Sequence, residues 1–318
     1  MLSLQGMGSF YVGGRELVVG GQPKRRVTYS KSFADDYDPN GHFWIEQAYV
    51  QFFIPAELRF ETPLLLVHGG GLTGSVWETT PDGRDGWLAF FLKAGITTYV
   101  IDMPERGRSG FCAHDGIWPD RPIIRSEEEA WRLYRFGEPQ HFATRTGFPG
   151  LQFPLEAAEA FSRTAVPRWP ANGAVMLAGL KAAIARIGPC ILLGHSQGGG
   201  LGMAATLQCP DLVRGSILVE PHGLPEPSEI TDPESRPLLL VMGDFIERTP
   251  EWPPLADKAR AMMDAWHHSG GHANTLDLPR HGITGNSHMP MMDRNSDQVA
   301  GVILDWLDRN FMTAQTSG

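Results

Sequence analysis

The stretch that decides the fold is CILLGHSQGGGLGMAATLQ, residues 190–208. Its first four residues form a short apolar run, which is typical of a strand buried on both faces of a parallel sheet. The residues after Gly198 can form a helix. Between the two lies GHSQG, the Gly-x-Ser-x-Gly pattern of a nucleophile elbow, in which a serine occupies a sharp turn from strand to helix. The stretch therefore predicts a strand-turn-helix unit that presents the hydroxyl of Ser196.

The residue types of this turn fit nucleophilic chemistry. Glycines flank the serine because a Cβ would clash in such a tight turn. The helix that follows directs backbone N–H groups and its positive end toward negative charge that develops during a reaction. The alternative interpretation is a glycine-rich loop with an incidental serine.

Similar apolar runs flank this unit along the chain and predict further strands. Four of them lack apolar/polar alternation and are expected in the same buried parallel sheet: residues 64–68, 97–102, 216–220 and 237–244. Two earlier runs, at 9–19 and 48–55, alternate more and predict an antiparallel edge. Helical patterns lie between or after the runs, at 84–94, 173–187, 198–208, 254–268 and 297–311. This alternation predicts an α/β protein with a mostly parallel, doubly wound sheet.

Residues 111–170 interrupt this alternation and are too many for an ordinary connection. They are rich in aromatic residues, Trp118 and Trp131 among them. We therefore predict a core formed by residues 1–110 and 171–318, with 111–170 inserted as a cap. The cap aromatics either form a small core of their own or line a pocket, and the sequence leaves both possibilities open.

Composition excludes several classes of protein. The 318 residues include 27 Lys and Arg against 36 Asp and Glu, a net charge of −9, which speaks against a nucleic-acid partner. No apolar run has the ~18 residues that a membrane span requires, so no membrane partner is expected. The opening MLSLQGMGSF lacks the features of an export signal, which predicts a cytoplasmic protein. Three cysteines make a disulfide framework unexpected.

A serine nucleophile requires a base, and histidine is the usual base at neutral pH. His288 lies in a Gly/Asn/Ser-rich loop before the last helix, where the histidine falls in the chain order serine, acid, histidine. His267, His268 and His272 lie close together, but no carboxylate or cysteine pattern accompanies them. We interpret them as a polar helix end and predict no metal site.

Two carboxylates at strand ends are candidates for the third member of the group. Glu220 ends the apolar run after Ser196, and Asp244 ends the next one. A carboxylate at the end of a buried strand needs a partner, since burial of an unpaired charge is costly. Glu247 and Asp277 are weaker alternatives.

A competing motif lies after the first buried run. Residues 69–74, GGGLTG, satisfy Gly-x-Gly-x-x-Gly, and Asp102 ends the next strand where a ribose-binding acid would stand. Dinucleotide binding requires a helix that begins at the glycines, and Pro81 and Gly83 interrupt any early helix here. We therefore expect no cofactor, and the HGGG sequence is instead typical of the oxyanion loops of lipases and esterases.

Taken together, these motifs resemble those of α/β-hydrolase serine esterases. More narrowly, HGGGLTGSVWETTPDGRDGW, TTYVIDMPERGRSG, ILVEPHG, VMGDFIE and HGITGNSHMPMMDRNSDQVAGVILDWL resemble the bacterial, Alcaligenes-type esterases with a Ser-His-Glu triad. The likeness runs from about residue 8 to 311 and is weakest in the insertion. It implies the α/β-hydrolase fold and a homodimer. It also implies Glu220, rather than Asp244, as the acid.

One departure from that group concerns the loop after the first buried strand. The resembling esterases carry two adjacent cysteines where this chain has Gly70 and Gly71. Backbone N–H donors do not depend on the side chain, so we still expect an oxyanion hole formed by Gly70 and Gln197. Substrate range and loop rigidity cannot be transferred across this difference.

The sequence thus predicts a carboxylic-ester hydrolase that acts through a serine acyl-enzyme on a small-molecule ester. The cap aromatics lead us to expect medium-sized apolar or aromatic esters, favoured over charged ones. A lactonase, a thioesterase or another acyl-transfer hydrolase remains an alternative, because such a triad does not fix the leaving group. A non-catalytic binding module and a dinucleotide-binding oxidoreductase are weaker alternatives.

Overall fold

The computed structural model describes residues 2–230 and 236–312. A sheet of eight strands forms its centre, in the order β1-β4-β6-β5-β7-β8-β9-β10. These strands are β1 (Leu4–Val19), β4 (Gly41–Pro55), β5 (Leu64–Val67), β6 (Thr98–Asp102), β7 (Cys190–His195), β8 (Val213–Val219), β9 (Pro237–Met242) and β10 (His272–Asp277). A hairpin of β2 (Arg25–Ser30) and β3 (Phe33–Tyr37) forms a separate two-stranded sheet.

The pairing directions divide the large sheet into two parts. Strand β1 pairs antiparallel with β4, and β4 pairs antiparallel with β6. From β6 to β10 all neighbours are parallel. The five apolar runs predicted as buried strands form β5 to β9, which make up the parallel part together with β10, and the two alternating runs fall within β1 and β4 at the antiparallel edge.

Seven helices accompany the strands in the described residues. They are α1 (Trp87–Lys93), α2 (Glu127–Leu133), α3 (Ala158–Ser162), α4 (Gly173–Ile187), α5 (Gln197–Gln208), α6 (Trp252–His268) and α7 (Ser296–Phe311). Each of the five predicted helices corresponds to one of them, within three residues at either end. No helix of the described residues is long and apolar enough to cross a membrane.

Alternate residues of the central strand β5 face two separate apolar layers. Leu64 and Leu66 belong to the layer that contains side chains of α1 and α7, whereas Leu65 and Val67 belong to the layer under α4. All four are fully buried. Because both faces are covered, β5 requires apolar residues at every position, which is why its sequence shows no alternation.

The insertion at 111–170 contains the short helices α2 and α3 and packs on the side of α1 and α7. Four of its aromatic side chains belong to the same apolar layer: Trp131, Phe136, Phe153 and Phe161. Trp131 is 1% exposed, and Trp118 stacks on Trp169 with ring centroids 5.7 Å apart. These four aromatic side chains therefore anchor the insertion to the core.

The β2-β3 hairpin is absent from the sequence prediction. Its residues are mostly exposed and polar, so no buried face imposes a period on the sequence. Cross-strand contacts support it instead: Tyr29 stacks on Phe33 at 5.5 Å, and Arg26 pairs with Asp36 at 3.2 Å. Such pairs depend on the register of two strands and leave little trace in either one alone.

Candidate active site

Ser196 lies on the turn between β7 and α5, in a strained backbone conformation. Its φ is 55° and its ψ is −120°, a region that few non-glycine residues adopt. A Cβ on Gly194 would come within 2.4 Å of the Gly198 carbonyl oxygen. A Cβ on Gly198 would come within 2.5 Å of the carbonyl oxygens of Val67 and His68. The flanking glycines therefore let the elbow pack tightly against itself and against the end of β5.

The structure brings Ser196, His288 and Glu220 together, although they are far apart in the chain. The hydroxyl oxygen of Ser196 lies 3.0 Å from Nε2 of His288, and Nδ1 of His288 lies 3.2 Å from Oε2 of Glu220. A carboxylate only accepts hydrogen bonds, so Nδ1–H donates to Glu220 and Nε2 is left to accept the serine proton. All three residues are buried, with Ser196 6% exposed.

Arg135, from the insertion, completes this group and was missed by the sequence analysis. Its Nη1 and Nη2 donate to the two carboxylate oxygens of Glu220 at 2.8 and 2.6 Å, and its Nε donates to the carbonyl of Asp244 at 2.8 Å. Both members of the ion pair are fully buried. Arg135 and Glu220 both have positive φ angles, of 58° and 49° respectively. No local motif marks Arg135, which lies between aromatic residues of the insertion.

The electrostatics of the group favour a charged glutamate and a neutral histidine. Burial raises the pKa of Glu220, but the charge of Arg135 and the hydrogen bonds from His288 and Arg135 outweigh burial and hold this pKa at about 2. Burial lowers the pKa of His288 to about 4, and Glu220 only partly opposes that effect. The imidazole is therefore unprotonated at neutral pH and free to accept a proton.

A second buried carboxylate shapes the loop that carries His288. Asp293 accepts hydrogen bonds from the backbone N–H and the hydroxyl of Ser287, both at 2.8 Å, and from the amide of Asn286 at 3.0 Å. Burial raises the pKa of Asp293 to about 7. The sequence showed Asp293 only as one polar residue in a polar loop, and its role in holding that loop appears only in three dimensions.

Aromatic rings enclose the imidazole of His288 on two sides. Tyr134 stacks on it at 5.7 Å between ring centroids, and Trp252 lies 4.3 Å away. Tyr134 also accepts a hydrogen bond from the backbone N–H of His288 at 3.0 Å. His195 donates from Nε2 to the carbonyl oxygen of His288 at 2.8 Å. These contacts fix the orientation of the ring and restrict the access of water.

Asp244, the alternative acid, is engaged elsewhere. Its carboxylate accepts hydrogen bonds from the backbone N–H groups of Phe245 at 2.8 Å and Gly285 at 3.0 Å. In the structure it is therefore Glu220, and not Asp244, that accepts the hydrogen bond from His288. Asp244 instead ties the end of β9 to the start of the histidine loop.

The two residues predicted for the oxyanion hole lie near Ser196, since Gln197 follows it in the chain and Gly70 lines the same cavity. Gln197 is the first residue of α5, where a helix leaves its N–H groups without intrahelical acceptors. Gly70 lies in the loop after β5, and a Cβ placed on it would be 3.0 Å from Oε1 of Gln197. His68 supports this loop: its Nε2 accepts from the N–H of Met103 at 3.1 Å, so its Nδ1–H donates to the carbonyl of Gly69 at 2.8 Å.

The glycine-rich loop shows no dinucleotide-binding architecture. Only a single 3₁₀ turn, Gly74–Trp77, follows the glycines, and α1 starts at Trp87. The carboxylate of Asp102 is used internally, since it accepts from the N–H of Gly74 at 2.7 Å and from Nε of Arg108 at 2.8 Å. It therefore holds the loop in place.

The histidine trio lies at the end of α6 and the start of β10, so only His267 and His268 belong to the helix end that the sequence predicted. His267 and His268 end α6, His272 begins β10, and Nδ1 of His268 lies 2.6 Å from the carbonyl oxygen of Asp264. Within the residues that the structure describes, no group of three or more His, Cys, Asp or Glu side chains is arranged to hold a metal.

A cavity of about 210 Å³ opens at Ser196 and His288. Its apolar wall is formed by Leu133, Tyr134, Trp252 and Leu255. Besides His288, its charged or titratable members are Arg125, Arg168, His222 and Glu251. Neither Trp118 nor Trp131 lines it. The insertion contributes to the cavity mainly through its segments around Tyr134 and Arg168.

The chain belongs to the alpha/beta hydrolase family, whose sequence profile matches residues 64–270. Its fold agrees with that of a solved protein described as a novel bacterial esterase: 36% of residues are identical, 98% of this chain and 97% of that chain are covered, and the TM-score is 0.84. A second relative is the probable secreted lipase phiG of Fungal sp. (strain ATCC 74256), which is 27% identical over 329 aligned positions, with 82% of this chain and 85% of the relative covered. These findings confirm the predicted fold, the resemblance to bacterial esterases and the prediction of a hydrolase.

Proposed function

We propose that this chain is a serine carboxylesterase. The observation that carries the proposal is the buried relay from Ser196 through His288 to Glu220, with contacts of 3.0 and 3.2 Å beneath an open cavity. The proposed roles follow from these contacts. His288 takes the serine proton as Oγ attacks the ester carbonyl, and Glu220 orients the ring and stabilises its charged form.

The remaining steps use groups that surround the relay. The N–H groups of Gly70 and Gln197 stabilise the tetrahedral oxyanion, a contribution of about 3 kcal/mol for one donor in comparable sites. His288 then protonates the leaving alcohol as the ester C–O bond breaks, which leaves an acyl-Ser196. A water molecule activated by His288 attacks this acyl group, releases the carboxylic acid and restores the serine.

The shape of the cavity supports a medium-sized ester with an apolar or aromatic part. Leu133, Trp252 and Leu255 offer apolar surface next to Ser196, and Tyr134 adds an aromatic face. The relay supports acyl transfer in general, so lactones and thioesters belong in the same substrate panel. We also carry the homodimer forward as a proposal, and sedimentation of the purified protein would test it.

Labelling with a fluorophosphonate tests the mechanism. Wild-type protein should be labelled, and Ser196→Ala should lose both the label and the turnover of aryl esters. Glu220→Ala and Asp244→Ala, both checked for folding, then test the acid. We expect Glu220→Ala to lose most activity and Asp244→Ala to keep more of it. An unlabelled wild-type protein would contradict the nucleophile, and loss of turnover in Asp244→Ala alone would contradict the acid.

A further inference from the structure

Two arginines, Arg125 and Arg168, line the cavity at Ser196, and the proposed mechanism uses neither. Both arginines also line an adjoining cavity of about 280 Å³. The two cavities share Gly70 and Tyr134 as well. Both arginines come from the insertion. The chain as a whole carries a net charge of −9, but this cavity is lined by two guanidinium groups and one carboxylate, Glu251, which pairs with Arg132.

The backbone around Arg168 holds it in this position. Its N–H donates to the carbonyl of Ile123 at 2.9 Å, and its carbonyl accepts from the N–H of Ile123 at 2.8 Å. Two residues earlier, the N–H of Val166 donates to the carbonyl of Gly71 at 2.9 Å. The segment is therefore fixed between the loop of Gly71 and the segment that leads to Arg125, without any help from the Arg168 side chain.

The guanidinium of Arg168 occupies the space that a side chain at position 70 would fill. A Cβ built on Gly70 would lie 2.2 Å from Nη1 and 3.4 Å from Cζ of Arg168. Because Gly70 has no side chain, the guanidinium of Arg168 can lie against the oxyanion loop and bring a positive charge to it.

The charge of Arg168 lacks a counterion in the part of the chain that the structure describes. No carboxylate of residues 2–230 or 236–312 forms an ion pair with it, and its Nε is buried without a hydrogen-bond partner. The acids around the two cavities have other partners: Glu251 pairs with Arg132, Glu129 with Arg125, and Glu127 accepts from Arg145 at 2.5 Å. Burial and then the charge of Arg125 lower the pKa of Arg168. An anion bound here would offset both the burial of the Arg168 charge and its repulsion by Arg125.

We propose that Arg168, supported by Arg125, binds a carboxylate of the substrate, and that the preferred substrates are monoanionic esters such as half-esters of dicarboxylic acids. A guanidinium suits this role because its planar fork matches the two oxygens of a carboxylate. The apolar wall of the cavity accepts the remainder of the molecule. This inference rests on the proposed esterase function, and for monoanionic esters it reverses the expectation from sequence that apolar or aromatic esters are favoured over charged ones.

Matched pairs of esters test the proposal. Phenyl hydrogen glutarate against phenyl pentanoate places a carboxylate on the acyl side, and 4-acetoxybenzoate against 4-methylphenyl acetate places it on the alcohol side. The readout is the ratio of kcat/KM for the anionic ester to kcat/KM for its neutral partner. We expect Arg168→Gln to lower this ratio at least tenfold for one pair, and Arg168→Lys to lower it less. Arg163→Gln is the control, because Arg163 lies in the same insertion but is exposed and paired with Glu159.

A binding measurement separates this proposal from the esterase function itself. By calorimetry, glutarate should bind the Ser196→Ala protein at least tenfold more tightly than the Ser196→Ala, Arg168→Gln protein, whether or not any ester is turned over. Equal affinities, no binding to either protein, or unchanged ratios for both ester pairs in Arg168→Gln would overturn the proposal. If phenyl pentanoate is still hydrolysed in a Ser196-dependent way, the esterase function survives that result.

Discussion

Replacement of Arg135 by methionine should reveal how far the candidate site depends on the insertion. Methionine keeps apolar contact near Trp252, whose ring lies 4.5 Å from the guanidinium carbon, but removes both hydrogen bonds to Glu220. The carboxylate would remain fully buried with the N–H of Gly243, at 2.5 Å, and His288 as its donors. Removal of one partner from a buried ion pair costs about 3–5 kcal/mol. We expect a loss in this range in the free energy of unfolding.

Guanidinium chloride unfolding of matched variants measures this loss. Arg132→Met is the control, since Arg132 is one-third exposed and pairs with Glu251 at the surface, where such a pair contributes about 0–1 kcal/mol. The double variant Arg135→Met, Glu220→Gln removes the charge left behind and should recover part of the stability. A loss below about 1 kcal/mol in Arg135→Met, or a double variant less stable than the single one, would refute the reasoning about buried charge.

The Arg135→Met variant can also be tested through its activity. The charge of Arg135 lowers the pKa of His288, so its removal should raise that pKa and move the acid limb of kcat/KM to higher pH. A loss of packing alone would lower activity without moving the limb. The pH profile therefore distinguishes an electrostatic positioning role of Arg135 from a merely structural one.

Two further predictions concern pH. In the wild-type protein, burial lowers the pKa of His288 to about 4, so kcat/KM measured from pH 4 to 8 should fall only well below pH 6.5; a midpoint at or above 6.5 would mean that Glu220 outweighs burial. Burial raises the pKa of Asp293 to about 7, so the folded state holds this proton more tightly than the unfolded state does. Its contribution to stability is complete below the unfolded pKa and is lost as pH rises through about 7. Asp293→Asn should therefore weaken the dependence of unfolding free energy on pH between 4 and 7, and an unchanged dependence would contradict the shift.

Continuous apolar runs made most of the core predictable. The run at 190–195 and its four companions form β7, β5, β6, β8 and β9, because a strand covered on both faces must be apolar throughout. The nucleophile elbow was equally accessible, since strand, tight turn and helix are consecutive in the chain. The β2-β3 hairpin and the role of Asp293 were not, because both depend on contacts that leave no repeating pattern.

The sequence by itself determined the elements that depend on neighbours in the chain: the buried strands, the elbow at Ser196 and the polar loop of His288. It left Glu220 and Asp244 as alternatives, and only a resemblance favoured Glu220. The tertiary structure placed Glu220 beside His288, added Arg135 and set Arg168 against Gly70. The physical reason is that the buried carboxylate of Glu220 requires a partner, and this partner, Arg135, comes from an insertion whose position is set by packing across the whole fold.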